Sequence, residues 1–345
     1  MKPAAASPGL AAPAGRGRPG SAALVPPSDL PRIRHLETGW SNACLRAADR
    51  VLPRRLFAAL AGLGVWVAVL VLWRPRLKSR RYLAAILGRA PTPREIWRHY
   101  MEFTAVHLAR LRVAGGRTHH CRPLPDCEAF TALMASGRPA LLGTFHIGSS
   151  DLLGFFLGRF RRHVYMIRYR MGDPHFLRRL VDRCSAWVTF IWVNEKENLL
   201  FALKQAVESG GSIAMKCDRV GYSAKLEAFE FLGARRWFPF TIYHLGIMFD
   251  RPVTFCVSLP AGPDESVVHG FPVFEPDGSA REENLRRARL HFQGVLTGVE
   301  TLLRANPYQW FNFDDLNPVA PPVPLSSQAD RGVALHPMAK QRLIT

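Results

Sequence analysis

The chain has 345 residues, 48% of them hydrophobic, and can therefore bury the core of one large domain with appendages. Its 46 lysines and arginines outnumber the 27 acidic residues, and the formal net charge of +19 indicates an anionic partner: nucleic acid, an anionic membrane surface, or acidic proteins and substrates. The six cysteines show no C-x-x-C spacing, which argues against a cysteine zinc site and against a disulfide framework.

The first part of the chain divides into a polar leader and an apolar run. Residues 1–38 are rich in Ala, Pro, Gly and Arg without periodicity, which predicts a disordered leader, with a transit peptide as the alternative. Leu56 to Trp73 contains no charged residue and has basic residues on both sides. It reaches the lower length limit for a membrane span, so 54–75 is predicted to be an N-terminal membrane-anchoring helix. A helix lying partly in the bilayer and a buried core helix remain open, and the basic flanks leave its orientation undecided.

Apolar residues then recur at helical spacing between Arg80 and Val113, which predicts helices with a break at Pro91 and Pro93 and Thr92 as a cap. The next segment contains the one cluster of possible metal ligands. We interpret it as a polar turn and expect no metal or cofactor; the cluster comprises His119, His120, Cys121 and Cys127.

From residue 139 onward, strand and helix patterns alternate, which is typical of an α/β fold with a mostly parallel sheet flanked by helices. The predicted strands are 139–145, 163–169, 188–193, 212–217 and 252–259. The predicted helices are 149–159, 174–185, 196–209, 239–249 and 281–304, the last with Leu285, Phe292, Val295, Leu296, Val299 and Leu303 buried. The Pro-rich tail, 318–345, is predicted to be loose.

The stretch PALLGTFHIGSSD, from Pro139 to Asp151, indicates a site. A short apolar strand runs into a tight turn at Gly148, and His146 lies at the carboxyl end of that strand, where open α/β sheets bind ligands. With Asp151 in the first turn of the following helix, its carboxylate can fold back and hold one ring nitrogen of His146, which leaves the other nitrogen as a base. The alternative is a histidine satisfied beside a strand end, with Asp151 favouring the helix dipole.

Six segments of the chain, in this order and spacing, carry a family resemblance: FHIGSSD at 145–151, HVYMIRYR at 163–170, LRRLVDRC at 177–184, KENLLFALKQAVESGGSIAMKCDR at 196–219, FEFLGARRWFPFT at 229–241 and NPYQWFNF at 306–313. They resemble the bacterial lipid A biosynthesis acyltransferases, the lauroyl and myristoyl transferase branch of the lysophospholipid acyltransferase superfamily. Order and spacing match from about residue 75 to 317, so 76–317 is the predicted acyltransferase domain.

The resemblance implies an O-acyltransferase on the cytoplasmic side of the bacterial inner membrane. It would move a fatty acyl group from an acyl carrier protein or CoA thioester to a hydroxyl of a lipid or glycolipid acceptor, bound at an anionic membrane. His146 would be the general base and Asp151 its orienter, so that the hydroxyl attacks the thioester directly. Backbone N–H groups near Gly148 and Ser149, or an arginine, would meet the oxyanion.

The resemblance also implies substrate-binding residues. Arg183, with Arg179 nearby, lies where the family carries an important arginine, and a guanidinium there would grip a phosphate or diphosphate of the acceptor or carrier. Asp218 falls where the family has an aspartate followed by glutamine, although Arg219 follows here, and is expected to line the site. Gln309 and Trp310 match the late signature and are expected to close the sheet.

Other functions stay open at this stage. The acceptor is a lipid A precursor or, alternatively, an ornithine lipid or a polyene-type lipid. A serine thioesterase or hydrolase using Ser149 or Ser150 lacks the G-x-S-x-G elbow. A membrane-anchored basic scaffold protein fits the charge, but nucleic acid is not expected as a partner, since no nucleic-acid-binding signature is found. The aromatic cluster at 229–240 is either the floor of an acyl groove or ordinary core.

Overall fold

The computed structural model describes residues 39–168, 187–193, 196–220 and 225–313, together with Arg179, Asp182, Arg183, Ser223 and Leu316. The described residues all belong to one compact unit. The predicted leader 1–38 lies outside them, as do the tail 318–345 and most of the predicted helix 174–185.

From residue 39 onward, four helices precede the sheet: α1 (Gly39–Val51), α2 (Arg54–Val71), α3 (Trp73–Leu87) and α4 (Pro93–Ala114). Gly88, in the left-handed conformation, ends α3, and a capping box begins α4. In that box the Thr92 hydroxyl accepts from the backbone N–H of Glu95, and the Glu95 carboxylate accepts from the backbone N–H of Thr92. The predicted break at Pro91 and Pro93, with Thr92 as the cap, is confirmed.

The apolar run forms α2, which is preceded by α1, so the expectation that this helix stands at the N-terminus is wrong. Within the described residues it is the one helix long and apolar enough to cross a membrane. Its inner side packs on α4: Val65 and Val69 are buried, and Trp66 stacks on Trp97 with ring centroids 5.9 Å apart. Its outer side exposes a stripe of large apolar residues: Leu56, Leu60, Leu63, Val67 and Leu70.

Seven described strands form one sheet: β1 (His120–Pro123), β2 (Leu141–Thr144), β3 (Val164–Arg168), β4 (Val188–Trp192), β5 (Ser212–Lys216), β8 (Val253–Gly262) and β9 (Glu265–Gly270). Their order in the sheet is β1-β9-β8-β2-β5-β3-β4. Neighbouring strands run parallel except β8 and β9, which are antiparallel. The predicted mostly parallel sheet is confirmed, and all five predicted strands are found.

Helices flank this sheet: α5 (Glu128–Ala135), α6 (Leu153–Gly158), α7 (Lys196–Glu208), α8 (Thr241–Met248) and α9 (Arg281–Ala305). All six residues predicted to be buried on the last helix are buried. The predicted helix 149–159 is shorter than expected: a 3₁₀ turn at 150–152 precedes α6.

The aromatic segment forms a separate hairpin of β6 (Leu226–Phe231) and β7 (Ala234–Pro239). Leu232 and Gly233 both have positive φ, +52° and +69°, as a two-residue hairpin turn requires. Most of the cluster is buried, and its rings pack on one another and on Phe292 of α9. The cluster is therefore hydrophobic core, which was one of its two interpretations.

Candidate active site

The candidate site lies where two neighbouring parallel strands end. β2 and β5 pair in register, with Thr144 opposite Lys216. Two residues beyond the end of each strand, His146 and Asp218 face each other at the same edge of the sheet. The strands bring them together from 72 positions apart in the sequence.

The Asp218 carboxylate holds His146 from both its backbone and its ring. Oδ2 accepts from the His146 backbone N–H at 2.8 Å, and Oδ1 lies 2.6 Å from Nδ1. Oδ2 also accepts from the Trp310 indole N–H at 2.8 Å. An ionised carboxylate only accepts hydrogen bonds, so Nδ1 carries the proton and Nε2 keeps its lone pair. The Asp218 side chain is fully buried, whereas the His146 side chain is 19% exposed and therefore partly accessible.

Burial sets the protonation state of this pair. The pKa of His146 is lowered to about 4: burial is the main cause, the nearby charges of Lys216 and Arg219 act in the same direction, and Asp218 opposes them. Burial by itself would raise the pKa of Asp218, but the hydrogen bonds from His146 and Trp310 outweigh it and lower that pKa. At neutral pH the site therefore contains a neutral imidazole beside a carboxylate, the form that a general base needs.

Asp151 is not the partner of His146, so the predicted H-x4-D pair is not formed. Its carboxylate instead accepts from the Lys216 ammonium at 2.9 Å, with guanidinium groups of Arg110 at 3.3 Å and Arg168 at 3.7 Å. Burial would raise the pKa of Asp151, but these three cations hold it well below its usual range. The reason is topological. Arg168 ends β3 and Lys216 ends β5, so the order of the strands places both cations against the Asp151 carboxylate.

In the turn after His146, the N–H groups of Gly148 and Ser149 are not free for an oxyanion. The Gly148 N–H donates to the Gln309 carbonyl and the Ser149 N–H to the Ser258 carbonyl, each at 2.8 Å. Both groups are used to join the loop to the rest of the sheet, so the predicted oxyanion role of these backbone groups is wrong. Ser149 and Ser150 are 2% and 6% exposed, which disfavours either as a nucleophile.

The late segment 309–312 clamps the site. Besides the bond between Gly148 and Gln309, the Phe311 N–H donates to the His146 carbonyl at 2.7 Å, and the Asn312 amide donates to the Asp218 carbonyl at 2.8 Å. The sequence predicts sheet closure here but not the contact of Trp310 with the Asp218 carboxylate. Only the order of the strands could have revealed it.

The remaining predicted residues fall into different places. Asp218 is too deeply buried to touch a substrate and orients His146 instead. Arg183 and Arg179 are exposed, and Arg183 donates to the Gly116 carbonyl at 3.0 Å, after the end of α4. Arg219 donates to the Asn312 side chain at 3.2 Å, close enough to His146 to act on its pKa.

A cleft of about 300 Å³ lies between α4 and the end of β8. Its walls are largely apolar, with Val106, Ala109 and Pro260 among them, and Ser149 forms one side. His146 is not among its lining residues. Among the described residues no group of three or more histidine, cysteine or acidic side chains is arranged to hold a metal ion.

No protein-family model and no curated protein matches this sequence. Among solved structures, the chain is similar to the crystal structure of PlsC, the 1-acyl-sn-glycerophosphate (LPA) acyltransferase from Thermotoga maritima. The TM-score is 0.34 and the identity 13%, over 73% of this chain and 98% of that chain. A likeness of this size establishes neither family nor activity, so a functional conclusion has to come from the side chains of the site.

Proposed function

We propose that the protein is a membrane-associated O-acyltransferase that moves a fatty acyl group from a thioester to a hydroxyl of a lipid or glycolipid. His146 is the general base and Asp218 the residue that orients it. The observation that supports this most strongly is the neutral imidazole of His146, whose Nδ1–H is held by a buried carboxylate while the side chain stays partly exposed at the ligand edge of the sheet.

The chemistry needs no covalent enzyme intermediate. Nε2 of His146 takes the proton of the acceptor hydroxyl as its oxygen attacks the thioester carbonyl carbon. The tetrahedral oxyanion then collapses, the C–S bond breaks, and the leaving thiolate takes the proton back from the imidazolium. The products are an ester and a free thiol. Throughout, Asp218 faces the imidazolium and stabilises it.

Cations next to the base stabilise the oxyanion in place of the backbone groups near Gly148. Lys216 and Arg219 both lie close enough to His146 to lower its pKa. A cation that disfavours the imidazolium form of His146 before the reaction also stabilises the negative charge of an oxyanion that forms next to that cation. The oxyanion is therefore assigned to one of these two side chains.

The anionic part of the substrate binds at the cationic cluster around Asp151. Among the described residues, three cations surround this carboxylate: Arg168 at the carboxyl end of β3, Lys216 at that of β5, and Arg110 on α4. Arg168 and Lys216 remain 25% exposed, enough to reach a phosphate. We place phosphate recognition here instead of at Arg183.

The membrane contact is the outer stripe of α2. Since the inner side of this helix packs on α4 through Val65, Val69 and Trp66, α2 lies in the bilayer interface with its stripe in the lipid. Basic residues follow it directly: Arg74, Arg76, Lys78, Arg80 and Arg81. The bacterial inner membrane, with the site on its cytoplasmic side, fits this arrangement and the resemblance to the lipid A acyltransferases.

The proposal is tested with purified protein, acyl carrier protein and CoA thioesters, and lipid extracts analysed by mass spectrometry. His146→Ala should lower transfer by on the order of 10² to 10⁴-fold. His163→Ala, which removes an exposed histidine at the other end of β3, is the matched control and should keep transfer. Transfer that survives in His146→Ala contradicts the proposal. Lipid analysis of a deletion strain, complemented by wild type or His146→Ala, names the acceptor.

A further inference from the structure

Trp310 connects the candidate site to a buried histidine outside the sheet. While its indole N–H donates to Asp218, its backbone carbonyl lies 2.9 Å from Nε2 of His99 on α4. The other ring nitrogen of His99, Nδ1, lies 2.7 Å from the Ser79 hydroxyl on α3. Both Ser79 and His99 are 1% exposed.

The direction of each hydrogen bond follows from the chemistry of the groups. A carbonyl only accepts, so Nε2 of His99 carries the proton, and Nδ1 therefore accepts from the Ser79 hydroxyl. Burial lowers the pKa of His99 to about 4, which keeps it neutral in this tautomer. Ser79 therefore donates to His99, His99 donates to the Trp310 carbonyl, and the Trp310 indole donates to Asp218. Asp218 in turn accepts from His146.

Packing fixes the same groups from the sides. The His99 ring stacks on Phe311, with centroids 6.0 Å apart, and the Trp310 indole meets Tyr82 edge-on at 5.0 Å and Phe231 at 5.6 Å. A phenyl ring would fill the place of His99 without the cost of burying two polar nitrogens. What the imidazole adds is the pair of hydrogen bonds, one of which fixes the Trp310 main chain.

We infer that His99 is a positioning residue for the base. By holding the Trp310 carbonyl, it fixes the indole whose N–H holds the Asp218 carboxylate in place for His146. The kinetic part of this inference rests on the proposed function, but the geometric part does not. His99, which lies on α4 and far in sequence from the residues at the sheet edge, thus has a role in the site.

The test compares three variants with wild type. His99→Phe keeps a ring but removes both hydrogen bonds, His99→Gln keeps an amide N–H for the Trp310 carbonyl, and Trp310→Phe removes the indole N–H. His291→Phe is the matched control. The His291 ring likewise lies between a hydroxyl, Tyr243 at 2.6 Å, and a carbonyl, Pro272 at 2.9 Å, but it makes no contact with Asp218.

The first readout is independent of catalysis: the pKa and tautomer of His146, followed by NMR with ¹³C- and ¹⁵N-labelled histidine and assigned with His146→Gln. In Trp310→Phe, Asp218 loses one donor, more of its charge faces the imidazole, and the His146 pKa rises. Lys216 and Arg219, the other charges acting on His146, are unchanged in all variants. His99→Phe should shift the pKa in the same direction, and His291→Phe should leave it in place.

The second readout is kinetic. Trp310→Phe and His99→Phe should each lower kcat about 10-fold with KM within about twofold, since only the orientation of the base changes. His99→Gln should recover most of that loss. If His99→Phe changes only the unfolding midpoint, which is the result expected for His291→Phe, His99 is a core residue and the inference is wrong.

The design separates this inference from the proposed function. If no protein, wild type included, transfers acyl groups, the NMR titration still decides whether His99 acts on His146. If His99→Phe does not fold, Ser79→Ala takes its place, because it removes only the hydroxyl that fixes the His99 tautomer. An unchanged His146 pKa and tautomer in Ser79→Ala would then overturn the inference, and a shift would support it.

Discussion

Asp218 and Asp151 have different roles in the proposed function, and substitution should separate these roles. Asp218→Asn removes the charge that faces the imidazolium and the acceptor that fixes the tautomer of His146. We predict a fall in kcat of on the order of 10² to 10⁴-fold with little change in KM. Steady-state kinetics on folded protein checks this, and a variant with wild-type kcat would show that Asp218 is not the orienter.

Asp151→Asn should act on binding and stability and not on the base. It leaves Lys216, Arg110 and Arg168 without their shared counter-charge, and breaking a buried pair of this kind costs about 3 kcal/mol. We predict a lower unfolding midpoint and an altered KM for phosphate-bearing substrates, with the acidic limb of the rate profile unchanged. A shifted acidic limb would return Asp151 to the role of orienter.

The protonation of His146 predicts how activity depends on pH. The base must be neutral, and its pKa is lowered to about 4, whereas an unperturbed histidine titrates near 6.5. kcat/KM should therefore stay flat from pH 7 down to about pH 5 and fall below that. A limb centred near pH 6.5 in kcat/KM profiles would show that the ring is more exposed to water than its contacts indicate.

The same shift predicts how stability depends on pH. The folded-state pKa values of His146 and His99 are both lowered to about 4, below the unfolded value, so between about pH 6.5 and 4 the folded chain binds fewer protons than the unfolded chain. The free energy of unfolding must therefore fall as the pH drops through this window. His99→Gln should show a smaller fall than wild type in denaturant unfolding at pH 7 and pH 5.

At the scale of single elements, the turn after β2 requires a glycine at position 148. Gly148 has φ +48°, and a Cβ built on it would lie 2.2 Å from the Ser258 carbonyl oxygen. The carbonyl belongs to β8 and cannot move away without disturbing the sheet. The turn is therefore set by the close approach of two backbone segments.

We predict that Gly148→Ala destabilises the protein far more than Gly233→Ala. Gly233, in the hairpin turn, also has positive φ, but its Cβ would meet nothing within 4 Å. Gly233→Ala should cost only the strain of the left-handed conformation, about 1 to 2 kcal/mol, while Gly148→Ala should cost several. Chemical unfolding of both variants checks the difference, and equal losses would mean that the β8 contact yields easily.

The stripe on α2 makes a prediction for the helix as an element. Replacing Leu60, Leu63 and Val67 by Gln should abolish binding to anionic vesicles in a flotation assay without lowering the unfolding midpoint, because these side chains are 49%, 62% and 53% exposed. The matched control replaces exposed apolar residues elsewhere: Phe201, Met248 and Leu290. Equal loss of binding in both triple variants would show that the stripe has no special role.

At the scale of the whole molecule, the net charge of +19 should govern attachment to lipid. Basic residues near an anionic surface contribute on the order of 1 kcal/mol each, and salt screens this attraction within about 10 Å at 0.1 M. We predict that vesicle binding weakens steeply as salt or the fraction of zwitterionic lipid rises. Strong, salt-sensitive binding to DNA with no acyl transfer would instead favour a basic scaffold protein.

The sequence by itself determined most of the elements. Periodic apolar patterns predicted all five core strands and the buried face of α9, because such patterns depend only on neighbours along the chain. The cap at Thr92 is local in the same way. The elements that the sequence did not predict are α1, α5, β1, β9 and the hairpin of β6 and β7.

Only the tertiary structure decided which carboxylate serves His146. The sequence pointed to Asp151, five residues away, yet β5 pairs with β2 and brings Asp218 across in register, while cations at the ends of β3 and β5 occupy Asp151. Trp310 and His99 join the site in the same way, through contacts with no local sequence pattern. Strand order depends on how the whole chain packs, so patterns of neighbouring residues do not predict it.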